Sequence, residues 1–186
     1  MRPAIESLAV VVKGPFPRGT QVNVPDGHTF VGLASIAMMT LLAGTHTTLQ
    51  DCDFGMYTRD GGLPFRAGGP VGRVRDAATG PREARVFLEG TLVVSDALTL
   101  SKVLGDSHAV DDGAVLSLVQ RGAVSIARGV IAERLERGAW SAAQLAEGGL
   151  ERALAASIAA GWRASKDDGI AGTTLKLTLS RAVFSP

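Results

Sequence analysis

Ala84-Arg85-Val86-Phe87-Leu88-Glu89-Gly90-Thr91-Leu92-Val93-Val94-Ser95-Asp96-Ala97-Leu98-Thr99-Leu100 is where the hydrophobic rhythm of this chain changes. Successive residues of a strand point to opposite faces. Over 84–94 that places Val86, Leu88, Gly90, Leu92 and Val94 on one face. Arg85, Phe87, Glu89, Thr91 and Val93 fall on the other, so the spacing predicts a strand with one apolar side. Ser95-Asp96 then supplies a helix cap, and Ala97, Leu98, Leu100, Val103 and Leu104 predict a short helix stopped at Gly105.

Upstream of this switch the signals are extended. Leu8–Lys13 carries three consecutive valines and predicts a strand, followed by a loop over 14–19. Val22-Asn23-Val24, the turn Pro25-Asp26-Gly27 and His28–Leu33 predict a β-hairpin. The apolar stretch Phe30–Ala43 is about 14 residues, short of the ~20 that span a bilayer. It predicts a buried element, with an interfacial membrane contact as the lesser reading. A turn and short strand are expected over 43–49, and another strand over Phe54–Thr58. Residues 60–82 are rich in glycine and proline and predict loop with short extended pieces such as Val71–Val74.

Downstream the rhythm is helical. Asp111 or Asp112 caps a long helix to about Glu136, with Leu116, Val119, Ala123, Ile126 or Ala127, Val130 and Ile131 on one stripe. Gly122 and Gly129 each cost roughly 1 kcal/mol of helix propensity against Ala, so a close helix–sheet contact is expected there. Ser141-Ala142-Ala143-Gln144 reads as a capping box, and Gly148-Gly149 as a break. Leu150, Leu154, Ile158 and Trp162 then mark an amphipathic helix. Asp167-Asp168-Gly169 ends the helical region, and Leu175, Leu177 and Leu179 alternate as a last half-buried strand.

The expected architecture is therefore α+β: a curved, mainly antiparallel sheet followed by amphipathic helices and a final strand, read as one domain over 1–186. The 186 residues, 46% apolar and 20% charged, suffice for a core and exclude a disordered chain. A net charge of +1 and the lack of charge runs give no reason to expect nucleic acid, although folding could still assemble a basic patch. Cys52 is the only cysteine, and Met1–Glu6 lacks the long apolar core of a signal peptide, so a cytoplasmic, reducing setting is expected.

The search for chemistry returns little. No nucleophile elbow, phosphate loop or dinucleotide fingerprint is present, so no catalytic or cofactor-binding residue is assigned. His28, His46 and His108 stand at spacings that fit no local metal motif. Asp51 and Asp53 flank Cys52 and disfavour its thiolate. No metal site is assigned. The alternative reading is a metal-dependent enzyme or small-ligand binder in which His28, His46, Asp51 and Asp53 converge on one pocket.

The order of these motifs resembles the SPFH, or band 7, superfamily, in its soluble bacterial virion-core-like branch. Gln21–His28 is similar to the family's opening hairpin, and Ala43-Gly44-Thr45-His46-Thr47 to its Pro-Gly step, with Ala43 in the place of proline. Gly90-Thr91-Leu92-Val93-Val94-Ser95-Asp96 resembles the Gly-Thr strand that ends in Asp, with Ala97 where the family has proline. Val103-Leu104-Gly105, the 112–136 helix, Ser141 and Gly169-Ile170 then follow in the family's order. The resemblance covers roughly residues 8–184. It implies a non-enzymatic scaffold that forms homo-oligomers or docks a protein partner, with possible peripheral membrane contact and no cofactor.

Overall fold

The computed structural model describes residues 7–34, 37–104, 111–165 and 167–185. Among the described residues it is a mixed α+β structure of mostly antiparallel, open sheets with four helices and a final strand. The chain divides into two compact units. Unit 1 comprises Met1–Leu63, Val93–Val115 and Ala171–Thr173; unit 2 comprises Pro64–Leu92, Leu116–Ile170 and Thr174–Pro186. The expected helix stop at Gly105, together with His108, lies outside the described residues.

In unit 1 the strands are β1 (Ala9–Phe16), β2 (Gln21–Val24), β3 (His28–Leu33), β4 (Met38–Leu41), β5 (Gly44–Thr47) and β6 (Cys52–Arg59). β1, β6, β3 and β4 form one antiparallel sheet in that order, and β2 pairs with β5 in a second. The expected β2–β3 hairpin does not form. The Pro25–Gly27 turn is present, with the His28 N–H donating to the Pro25 carbonyl at 3.2 Å. It carries the chain from one sheet into the other. The reason is burial: Phe30, Val31, Gly32 and Leu33 are all buried, so β3 takes a neighbour on each side.

Phe30 is fully buried and packs with Val22, Val24, Phe16, Met39, Leu41 and Tyr57. Its ring meets those of Phe16 and Tyr57 edge-on at 5.6 and 5.0 Å. Gly55 makes room for it, because a Cβ there would lie 2.2 Å from Phe30 Cζ. β1 runs further than expected, through Phe16, with a register shift between Lys13 and Phe16. α1 (Ala97–Leu104) starts as the sequence predicts, Asp96 accepting from the Thr99 N–H at 3.0 Å.

Unit 2 is built on one sheet in the order β7 (Leu63–Asp76), β8 (Gly80–Val94) and β9 (Thr173–Ser185). β7 corrects the loop expected over 60–82. Leu63, Phe65, Ala67 and Val71 are buried in alternation, then Val74 and Asp76, one residue out of phase. The slip falls at Gly72, whose φ of 91° is open to glycine and strained for other residues. An extra residue at such a glycine is a β-bulge, so the Gly/Pro composition that reads as loop is a bulged strand. β8 has the predicted buried face: Ala84, Val86, Leu88, Gly90 and Leu92.

The helices of unit 2 are α2 (Asp112–Glu136), whose first turn belongs to unit 1, α3 (Ala142–Ala146) and α4 (Glu151–Ala164). Asp111 caps α2, accepting from the Gly113 and Ala114 N–H groups. Val119, Gly122, Ala123, Ala127, Ile131 and Leu135 form its buried stripe. By length and composition α2 could also cross a membrane. The Ser141–Gln144 capping box is present as read, and Leu154, Ile158 and Trp162 are the buried face of α4.

The two α2 glycines differ from expectation. A Cβ on Gly122 would lie 2.0 Å from the Asp168 carbonyl oxygen and 3.0 Å from the Trp162 ring, so the close approach is to α4 and its exit, not to the sheet. Gly129 has nothing within 4 Å of a built Cβ. Asp168, past the end of α4, accepts from the Ser125 hydroxyl of α2 at 3.2 Å.

Candidate docking surface

The inner face of the unit 2 sheet is covered and its outer face is not. The alternation that buries Phe65, Val86, Leu88 and Leu175 changes phase at Gly72 in β7 and again in β9 before the buried Ser180 and Ala182, and it leaves Arg66, Arg73, Arg75, Arg85, Lys176 and Arg181 exposed. Two acidic residues, Glu83 and Glu89, share that face by the same alternation. Arg66 is neutralised by Glu89 at 3.1 Å. Phe87 and Val183 stand out among these charges, 47% and 44% exposed. They line a shallow depression of about 500 Å³ with Gly68, Leu179 and Arg181. Gly68 lies under Phe87, so the phenyl ring crosses a bare stretch of β7 backbone.

The margins of this sheet are β7 and β9. Edge strands invite pairing with another chain unless something occupies them. On β7 the occupation is visible. Gln120 donates to the Arg66 carbonyl at 3.0 Å, and Arg128 donates to the Val71 carbonyl, one step before the bulge. Both donors come from α2, eight residues apart and therefore on one side of that helix. On β9 the links run to the side chains: Ser180 donates to the Glu151 carbonyl at 2.6 Å, and Arg163 reaches the Thr174 hydroxyl at 3.5 Å.

The residues considered for metal or ligand chemistry lie in unit 1 and are placed apart. His28 opens β3 opposite Arg59, its Nδ1 3.0 Å from the Asp26 carbonyl oxygen. His46 is in β5 opposite Val22, its Nε2 2.7 Å from the Leu42 carbonyl oxygen. Asp51 accepts from the Arg18 N–H at 2.7 Å, and Asp53 is exposed in β6. Among the described residues no three His, Cys, Asp or Glu side chains are grouped to hold a metal ion. Cys52 is buried, and burial first, then the charges of Asp53 and Asp51, push its thiol above the usual range. It is a protonated core thiol at neutral pH.

Unit 1 also holds a groove of about 600 Å³ lined by Thr29, Met38, Thr58, Arg59, Asp60 and Asp96, among others. Its carboxylates already have structural duties. Asp60 accepts from the Thr29 hydroxyl at 2.6 Å, and Asp96 caps α1, holding its own pKa low through the Thr99 hydroxyl and N–H.

No protein-family model matches the chain. No curated protein matches it. The outer face of β8 was legible in the sequence, since Arg85, Phe87 and Glu89 alternate there. Arg73 and Arg75 were not, because a segment read as loop has no face.

Proposed function

We propose that this chain is a non-catalytic assembly module of the SPFH type, which associates with copies of itself or docks a protein partner. The observation that carries the reading is the outer face of the β7–β8–β9 sheet, where Phe87 and Val183 are exposed amid arginines while the opposite face is buried. Exposed apolar residues ringed by charge are what a docking surface needs: apolar area to bury and a polar rim to set register. The element order supports the family assignment, with strands first, then a short helix, a long helix, a Ser-capped helix and a last strand. Curvature of the SPFH kind belongs to this proposal, as do a cytoplasmic setting and peripheral membrane contact.

Size exclusion with light scattering tests it. A single chain is 19.2 kDa, and the expected mass is a multiple of that value which rises with concentration. A mass of one chain at every concentration, with and without vesicles and cell extract, would reject the reading.

A further inference from the structure

The whole-chain charge of +1 hides a local surplus. Among the described residues of unit 2 there are thirteen Lys and Arg against nine Asp and Glu. On the outer face of its sheet the cations flank an aromatic ring. Phe87 rests on Gly68, its Cδ1 3.4 Å from where a Cβ there would stand, and 47% of the residue stays exposed. Gly68 thus supports one side of the ring and leaves the other open. Arg85 lies two residues back on the same face of β8, about 7 Å along the strand. Arg181 lines the same hollow as Phe87. Among the described residues neither guanidinium has an ion-pair partner, whereas Arg66 is held by Glu89. The Arg66–Glu89 pair also lines a second hollow of about 550 Å³, with Thr91, Thr178 and Gln120, so the two hollows adjoin. All of these residues belong to unit 2.

We infer that this face binds single-stranded nucleic acid, one base stacking on Phe87 while Arg85 and Arg181 take phosphates. Unpaired guanidiniums in a region of surplus positive charge select an anion, and their planar forks suit phosphate oxygens. What they flank is the open side of a phenyl ring beside Leu179 and Val183, so the anion that fits best also carries a flat apolar group. A nucleotide has both. A strand fits better than one nucleotide, because the adjoining hollow offers hydroxyl and amide groups to its neighbours and Arg73 and Arg75 extend the basic surface. A duplex keeps its bases stacked inside, and an acidic peptide or anionic membrane matches the charge without using the ring. Composition gave no reason to expect nucleic acid; the fold supplies one, since Arg73 and Arg75 reach this face only when β7 is a strand. The inference goes beyond the assembly reading and does not depend on it. A bound strand and a docked copy compete for Phe87.

Fluorescence anisotropy of the whole chain with a labelled oligothymidine of about 12 nucleotides, a length one sheet-built site covers, tests this. The single strand is expected to bind, and its affinity to fall as salt rises from about 0.05 to about 0.2 M. The same oligonucleotide paired with oligoadenosine is expected to bind more weakly, although plain charge attraction favours the duplex with its doubled charge per length. Phe87→Ala and Phe87→Leu are each expected to weaken binding about 5- to 150-fold with the salt dependence unchanged, and Phe87→Trp to retain it. Arg85→Gln and Arg181→Gln are each expected to lower the slope of log affinity against log salt by about 0.7, the share of one phosphate on a single strand. All three positions are exposed, and an unchanged melting temperature shows that lost binding is not lost folding. Where a variant melts lower, the comparison of single strand with duplex on the unaltered chain decides.

No binding at the lower salt overturns the inference. Duplex bound as tightly as single strand, with Phe87→Leu unaffected, also overturns it and leaves charge attraction alone. Phosphatidylserine vesicles or polyglutamate bound through Arg85 and Arg181, with the oligonucleotide inert, overturn the choice of occupant. The assembly reading is decided separately, by the mass of the chain without oligonucleotide. A single chain that binds the strand rejects assembly and keeps this inference; an assembly indifferent to the strand does the reverse.

Discussion

Asp76→Ala is expected to destabilise the protein by about 3–4 kcal/mol, read as a fall in melting temperature of about 6–16 °C. Asp76 ends β7 with only 2% of its surface exposed. Its carboxylate accepts from the Ala78 N–H at 2.7 Å and the Thr79 N–H at 3.2 Å, which shapes the turn into β8. The other oxygen accepts from the Ala142 N–H at 2.7 Å, the first residue of α3. One buried side chain therefore holds the hairpin turn and a helix N-terminus. Removing it strands three backbone donors, each costing roughly 1–3 kcal/mol when buried, though not additively.

The same bonds set a pH dependence. The Ala142 N–H first, with smaller contributions from Ala78 and Thr79, outweighs burial and holds the Asp76 pKa below its ordinary value. A group whose pKa is lowered by folding stabilises above its unfolded pKa, about 3.9 for Asp, and loses that contribution as pH falls from there through the folded value. Asp96, lowered by the Thr99 hydroxyl and N–H, acts in the same direction. Stability is therefore expected to decline below about pH 4, and Asp76→Asn to flatten that decline while lowering stability at pH 7. An Asp76→Ala melting curve that overlays the parent would contradict the arrangement described.

The second large effect is a difference in sign between two glycines of one helix. Gly129→Ala is expected to stabilise by up to about 1 kcal/mol, the usual gain for Gly→Ala inside an exposed helix. Gly122→Ala is expected to destabilise by about 1–3 kcal/mol despite the same gain in propensity. The added methyl would sit 2.0 Å from the Asp168 carbonyl oxygen, a backbone atom fixed by the Asp168 N–H bond to Ser165. Trp162, fully buried, closes the other side, and Gly161 on α4 similarly admits Ile126, whose Cγ2 lies 2.6 Å from a built Cβ. α2 and α4 can separate only by loosening the tryptophan from the core. Denaturant titrations of both variants decide the point, and equal stabilisation by both would refute the tight crossing.

These features were unequally legible in the sequence. Periodicity gave the elements wherever one face is buried: Val86, Leu88 and Leu92 in β8, the Val119–Ile131 stripe in α2, and Leu154, Ile158 and Trp162 in α4. Local chemistry gave the caps at Asp96, Asp111 and Ser141, because a capping bond spans three residues and needs no tertiary knowledge. Pairing was not legible. The partner of β2 is β5, some twenty residues on, and the Pro25–Gly27 turn between two alternating runs is equally a hairpin turn or a corner between sheets. β7 was missed because glycine and proline punctuate loops and bulged edge strands alike. The proposed docking face was hidden by that miss: Arg73 and Arg75 join Arg85 on one surface only once β7 is a strand. The reason for keeping Gly122 lies in Asp168 and Trp162, forty or more residues on in the sequence.

Amide hydrogen exchange measured as a function of protein concentration tests the central claim most directly, that the exposed face of the β7–β8–β9 sheet is where another copy docks. The expected result is slower exchange in β9 and in β7 around Arg73 and Arg75 as concentration rises. Exchange in those strands that stays the same from dilute to concentrated solution, while the chain assembles through other segments, would contradict it.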